Sequence, residues 1–220
     1  MQKDLRESQL YISKKGEKGS WVTFLLVLAL LLSIFFSVRN YWVTSFSGVI
    51  VSGHSMDDTL FDGEKLLMKL TSSGEKAERG DIIVVDVRGY KGSDKLQPNE
   101  NFGDTKFLIK RLIAVEGDVV RCKDGELSIQ YGGTGEFKKL KEPYAKYIDK
   151  LGYDFKEDYV VGKDEIFFLG DNRDNSIDSR YNETDGSHLT CLYMESDIYG
   201  IVPEWAIEHR EVLEKIFFRN

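Results

Sequence analysis

A mainly β protein behind one membrane-spanning helix is the fold class this sequence predicts, and three observations predict it. Eighteen residues near the N-terminus, 21–38, contain no charge, proline or glycine. Beyond them, short runs of branched and aromatic residues alternate with turn formers. No long stretch of 3.6-residue periodicity interrupts those runs before residue 204.

The apolar run WVTFLLVLALLLSIFFSV comes first. At about 1.5 Å per helical residue it reaches roughly 27 Å, close to the hydrocarbon thickness of about 30 Å. Tyr41 and Trp42 supply an interfacial belt beside Arg39. A cleaved signal peptide is the competing reading, but its apolar core is shorter and small residues follow it, whereas bulky residues follow Ile34 here. An uncleaved anchor is therefore expected. Ahead of it, Lys3, Arg6, Lys14, Lys15 and Lys18 outnumber Asp4, Glu7 and Glu17. The positive-inside tendency then keeps residues 1–20 cytoplasmic, makes residues 21–38 the transmembrane anchor, and sends residues 39–220 to the extracytoplasmic side of the cell membrane.

The strand signals follow in order: SFSGVIVSG, GDIIVVDV, KFLIKRLIAV, DVVRC, ELSIQY and EIFFLG. Each is bounded by turn formers such as DG, GG or EGD. The segment EWAIEHREVLEKIFF reads as a short amphipathic helix or a last strand, and residues 88–105 read as a polar loop.

With 220 residues, 41% of them hydrophobic, the chain can bury a core. A net charge of −7 argues against a nucleic-acid partner, since neutralising phosphates requires a basic face. Cys122 and Cys191 match no zinc or CxxC spacing, so no metal is expected. They form one disulfide or none, with two unpaired thiols favoured.

His54 stands directly before Ser55, with Asp57 and Asp58 close by, like a nucleophile with its base and orienter. Neighbours on an extended segment point to opposite faces, however, so the His54 ring does not easily reach the Ser55 hydroxyl. His188 and His209 sit in polar surroundings without a supporting motif. A desolvated lysine is another base, because burial disfavours the ammonium form. Lys110, on the apolar run FLIKRLIAV, meets that requirement, and alternation sends Arg111 to the other face. The third polar segment, GDNRDNSIDSR, spaces Asp and Asn as a calcium loop does. Its two arginines would repel a dication, so internal salt bridges that stiffen a loop are the better reading.

Taken in order, GHSMDDTL, RGDIIVVDV, FLIKRLIAVEGD and FLGDNRDNSIDSR, behind an N-terminal anchor, closely resemble the bacterial type I signal peptidases. The resemblance covers residues 20 to about 202. It implies a β-sheet catalytic core with a smaller inserted β region, about residues 119–165, and a membrane-bound serine endopeptidase that removes signal peptides from exported preproteins without a cofactor. It further implies Ser55 as nucleophile, Lys110 as general base and Ser176 as the hydroxyl that helps orient the lysine. Asp178 and Arg180 match an ion pair bracing the site, and Asp171 and Arg173 the structural part of the same box. The expected partners are preproteins and membrane lipid. Apolar residues such as Val49, Ile50, Leu60 and Phe61 rest either against lipid or in the core.

Three departures stand out. Asp58 occupies the place of the usual proline before TL, which removes a rigid φ. Gly53 stands where some members carry an oxyanion-donating hydroxyl, leaving that task to backbone N–H groups, that of Ser55 among them. The stretch after the last box, residues 181–195, looks longer than usual. The nearest rival is a self-cleaving Ser-Lys repressor, which would need a DNA-reading domain that residues 1–20 are too short to supply. The other rival is an anchored scaffold module that has lost activity.

Overall fold

A computed structural model describes residues 2–87, 107–146, 155–180 and 193–218, with side chains from residue 21 onward. Cys191, His188 and the loop expected at 88–105 lie outside these residues, as does most of the stretch 181–195. The chain divides into two units, Met1–Thr44 and Ser45–Asn220.

The first unit is a single helix, α1 (Gln2–Ser45). Its apolar part, Trp21–Ser45, has 25 residues and a mean hydropathy of 2.6, and its residues from Trp21 to Thr44 are exposed. The helix thus continues seven residues past Val38, through Arg39 and Asn40. Two polar residues end an uncharged run in sequence but do not end a helix whose backbone bonds continue; Thr44 Oγ1 donates to the Asn40 carbonyl one turn back.

The second unit is built on two antiparallel sheets. The larger has six strands in the order β1-β2-β10-β3-β4-β9. These are β1 (Phe46–Ile50), β2 (Lys65–Leu70), β3 (Ile82–Asp86), β4 (Phe107–Val115), β9 (Ile166–Leu169) and β10 (Ile198–Val202). The smaller has four, ordered β7-β6-β5-β8: β5 (Val119–Lys123), β6 (Glu126–Gln130), β7 (Lys138–Lys139) and β8 (Tyr159–Val160). Two short helices, α2 (Glu204–Glu208) and α3 (Arg210–Phe217), close the chain. They settle the C-terminal segment as helical, with Ala206 and Leu213 turned into the core.

Period-two alternation explains how one sheet serves two cores. Along β3, Ile82 and Val84 pack on one face with Val51, Met56, Leu60, Leu66 and Leu213. Ile83 and Val85 pack on the other with Leu112, Phe168 and Ile201. A register shift between Leu112 and Ala114 in the β4–β9 pairing marks an irregularity of the bulge type. Past it, Ile113 and Ala114 join Val120, Leu127, Ile129 and Phe167 in a third cluster, which belongs to the smaller sheet. Cys122 is buried in the same cluster.

One ion pair ties the turn before β3 to the smaller sheet. Arg79 donates from Nε and Nη2 to Asp118 at 2.6 and 2.9 Å. The buried Asp118 also accepts from the N–H groups of Val115 and Gly132. Burial alone would raise its pKa, but the Arg79 guanidinium and those two N–H groups together hold it below the usual carboxylate range.

Four strands escaped the sequence reading. β2, KLLMKL, is an apolar run of only three between Lys65 and Lys69, and β7 and β8 are two residues each. β10 is broken by Gly200, where a Cβ would stand 3.0 Å from the Lys69 carbonyl oxygen and from Met68 Sδ. Close approach of two strands, not a turn, requires that glycine.

Candidate active site

Ser55 sits in a turn between β1 and β2. The base of that loop is closed by backbone bonds from Val51 N–H to the Glu64 carbonyl and from Gly63 N–H to the Val51 carbonyl. Gly53, with φ of +87°, donates its N–H to Asp62 Oδ1 at 2.8 Å; only glycine adopts that conformation without strain. Met56 and Leu60, both fully buried, anchor the turn in the core, and the Met56 carbonyl accepts from Thr59 and Leu60. Hydrophobic anchors at both ends of a polar turn thus hold the serine on the core's rim.

Lys110 comes from β4, paired with Ile83 of β3. It is only 3% exposed. Its Nζ lies 2.7 Å from Ser55 Oγ and 2.9 Å from the Ile109 carbonyl oxygen. Desolvation lowers its pKa from 10.5 to about 8; Asp178 and then Asp171 pull the other way, and Arg180 adds to the lowering. At pH 7 that shift enlarges the neutral fraction about 300-fold.

The box 170–180 follows β9 and folds back on it. Phe168 N–H donates to Ser179 Oγ and Gly170 N–H to Asp178 Oδ2, while Arg173 Nε donates to the Gly170 carbonyl. Asp178 and Arg180 form an ion pair internal to the box, with Nε 2.8 Å from Oδ1 and Nη2 2.8 Å from Oδ2. Burial pushes the Asp178 carboxyl up, yet Arg180, the Gly170 N–H and a weaker contact with the Ser176 hydroxyl hold it below its ordinary value. The reading of the other box charges as internally paired needs correction. Asp171 takes both Nε and Nη2 of Arg111, at 2.9 and 2.6 Å, and the Thr59 hydroxyl at 2.6 Å. Arg173 pairs with Glu142. Buried charges need partners of opposite sign wherever the fold supplies them, and here β4 and the segment after β7 supply them.

Ser176 Oγ is buried and has no hydrogen-bond partner of good geometry among the described residues. The orienting bond to Lys110 that the resemblance implies is not made. Ser176 lies instead against Gly170, where an added Cβ would stand 2.2 Å from Ser176 Oγ and 2.5 Å from the Ser55 carbonyl oxygen. Glycine at that position is what lets the chain leaving β9 pass between the two serines.

His54 does not reach Ser55. Its side chain is 63% exposed and faces Asp57, with Nδ1 3.3 Å from Oδ2. The expectation was right for a different reason: residues 53–60 form turns and bends, not an extended segment, and the ring is turned toward solvent. His209 is engaged with the Trp205 carbonyl at 2.9 Å. Of the apolar residues near the turn, Leu60 is fully buried while Ile50 and Phe61 are exposed.

Several residues around the site were not singled out from sequence. Asn172 Nδ2 donates to the His54 carbonyl and Asn172 N–H to the Ser55 carbonyl, both at 3.0 Å. Residues 142–146 run beside the box: Tyr144 lies under the Arg111 guanidinium at 3.9 Å, and Lys146 exchanges backbone bonds with Asp171 and Arg173. Lys146 Nζ is 3.1 Å from Asp58 Oδ1. Only the density of Asn in the box hinted at such a role.

Comparison with known proteins agrees with the motif order. The family model for signal peptidase, peptidase S26, matches residues 19–211. Signal peptidase I P of Bacillus subtilis subsp. natto is 33% identical over 192 residues, covering 84% of each chain. Signal peptidase I of Bacillus licheniformis is 34% identical, covering 76% of this chain and 81% of the relative. Among solved structures, a signal peptidase I from Enterococcus faecalis V583 aligns with a TM-score of 0.37 and 24% identity, over 59% of this chain and 98% of that one. A family model matching nearly the whole chain, joined to relatives above 30% identity at this coverage, assigns the family: the chain belongs to the signal peptidases of peptidase family S26, which are serine endopeptidases.

Proposed function

We propose that this chain is a membrane-anchored endopeptidase that removes signal peptides from exported preproteins, with Ser55 as nucleophile and Lys110 as general base. The observation that carries the reading is the 2.7 Å approach of a buried lysine amine, with a pKa near 8, to the serine hydroxyl. In that environment Nζ accepts the Ser55 proton as Oγ attacks the scissile carbonyl carbon. The resulting ammonium returns the proton to the departing amine as the C–N bond breaks, leaving an acyl-enzyme. Neutral Lys110 then deprotonates a water that attacks the ester, which frees the signal peptide's carboxylate and restores Ser55. Among the described residues the Ser55 N–H has no hydrogen-bond partner, so it is available to the oxyanion.

An extended substrate has a natural berth. Residues 107–110 pair with β3 along one edge, and β9 begins pairing with β4 only at Arg111, so no described strand covers the other edge of this half. A peptide adding there as a strand passes beside Ser55. The apolar helix supports a single membrane span. The basic excess in residues 1–20 supports a cytoplasmic N-terminus, with residues 39–220 outside. Strands β5 to β8 support an inserted β region at about 119–165.

The test is cleavage of a preprotein at its A-x-A site by the full chain in detergent. Wild type cuts, while Ser55→Ala and Lys110→Ala do not. Cleavage by either variant at the wild-type rate overturns the assignment, and an inactive wild type favours the scaffold reading.

A further inference from the structure

We infer that Asn172 is a positioning residue that aims the Ser55 N–H at the transition-state oxyanion. The inference rests on the assignment of Ser55 as nucleophile. A peptide bond is planar, so fixing its carbonyl fixes the N–H on the other side of the same plane. The His54 carbonyl and the Ser55 N–H share one plane, and Asn172 Nδ2 holds that carbonyl at 3.0 Å. The Ser55 carbonyl and the Met56 N–H share the next plane, and Asn172 N–H holds that carbonyl at 3.0 Å. One residue therefore clamps both planes flanking the nucleophile. A bond accepted by the His54 carbonyl also polarises the peptide, which strengthens Ser55 N–H as a donor.

Asn172 is itself well placed to be rigid. It is 9% exposed, and its carbonyl accepts from Asn175 N–H. A parallel bridge joins it to Lys146, whose backbone bonds the residues on either side, Asp171 and Arg173. Asp171 in turn holds the far end of the same turn through Thr59. The turn carries Asp58 where the resemblance leads one to expect proline, so rigidity that a fixed φ would have given inside the turn is supplied from across the site.

The experiment compares wild type, Asn172→Ala and Asn172→Asp as full chains in detergent, with Ser55→Ala as control. Asp is isosteric with Asn but its carboxylate does not donate to the His54 carbonyl, so a merely space-filling role leaves Asn172→Asp active. Preprotein cleavage gives kcat and KM. A peptide aldehyde gives a second readout: Ser55 Oγ bonds to the aldehyde carbon, the C=O π bond breaks, and the hydroxyl proton moves to Lys110. That adduct carries its oxygen where the oxyanion forms. Both variants are expected to lose kcat by about 10- to 100-fold, less than the roughly 10²- to 10³-fold cost of removing an oxyanion donor outright, because the N–H stays and only its aim is lost. KM stays within about three-fold, aldehyde affinity falls by a similar factor to kcat, and the thermal midpoint holds within a few degrees. Wild-type kcat in either variant overturns the inference, as does equal weakening of the aldehyde and a non-reacting product peptide. Loss of fold in both variants also counts against it, because aiming a donor does not hold the chain together. If Ser55→Ala cuts normally, the nucleophile assignment fails instead.

Discussion

Lys110 and Arg111 are neighbours on one strand, both cationic, and the fold treats them in opposite ways. Arg111 is fully answered: two bonds to Asp171, one to the Gly80 carbonyl at 2.7 Å, and the Tyr144 ring under its plane. Lys110 is more deeply buried yet forms no ion pair among the described residues; its contacts are a hydroxyl and a carbonyl. The compensated cation braces the box against β4. The uncompensated one holds its proton loosely, which is what a general base at neutral pH requires. Period-two alternation alone separates the two environments.

The sharpest way to break this contrast is to remove each charge. Lys110→Met should abolish preprotein cleavage, by about 10³-fold or more, and at the same time raise the denaturation midpoint at pH 7. The sign follows from linkage. Between pH 8 and 10.5 the unfolded chain still binds a proton that the folded chain has released, so wild-type stability rises with pH across that window. The gain is about 3 kcal/mol, and it should be missing from the variant's pH–stability curve. A lower midpoint for Lys110→Met at pH 7 contradicts the account. Arg111→Met should do the reverse, costing about 3–5 kcal/mol in denaturant melts by leaving Asp171 buried and unpaired.

Smaller effects sharpen the comparison. Asp178 raises the Lys110 pKa, so Asp178→Asn should move the rising limb of the pH–rate profile to lower pH. A shift to higher pH would show that the carboxylate does not act on Lys110 electrostatically. His54→Ala should keep cleavage within about three-fold, because the ring faces solvent and Asp57. Lys146→Ala should change stability by less than about 1 kcal/mol, since its pair with Asp58 is exposed on both sides.

Much of this was legible in the chain, and the failures have physical reasons. Runs such as IIVVD and FLIKRLIAV declare themselves through β-branched residues and alternation, and β3 and β4 lie where those signals fall. The family motifs marked Ser55 and Lys110, which stand in contact although 55 positions apart. β10 was hidden by a glycine needed for strand contact, and β7 and β8 by their brevity. The partners of Asp171 and Arg173 were illegible because a charge carries no record of which distant residue will answer it. Arg111 and Glu142 are 60 and 31 positions away, and adjacent charges of opposite sign stood closer in sequence. Asn172 was missed because its role lies in two backbone carbonyls, which no side-chain pattern reports.

The central claim is that Lys110, whose ammonium form burial disfavours, is the base for Ser55. Its most direct test is the pH dependence of kcat/KM for preprotein cleavage by wild type and His54→Ala. The account predicts that both rise with pH, bend near 8 and level off above it, because only the neutral amine accepts the serine proton. A limb that disappears in His54→Ala would contradict it and return the histidine to the chemistry.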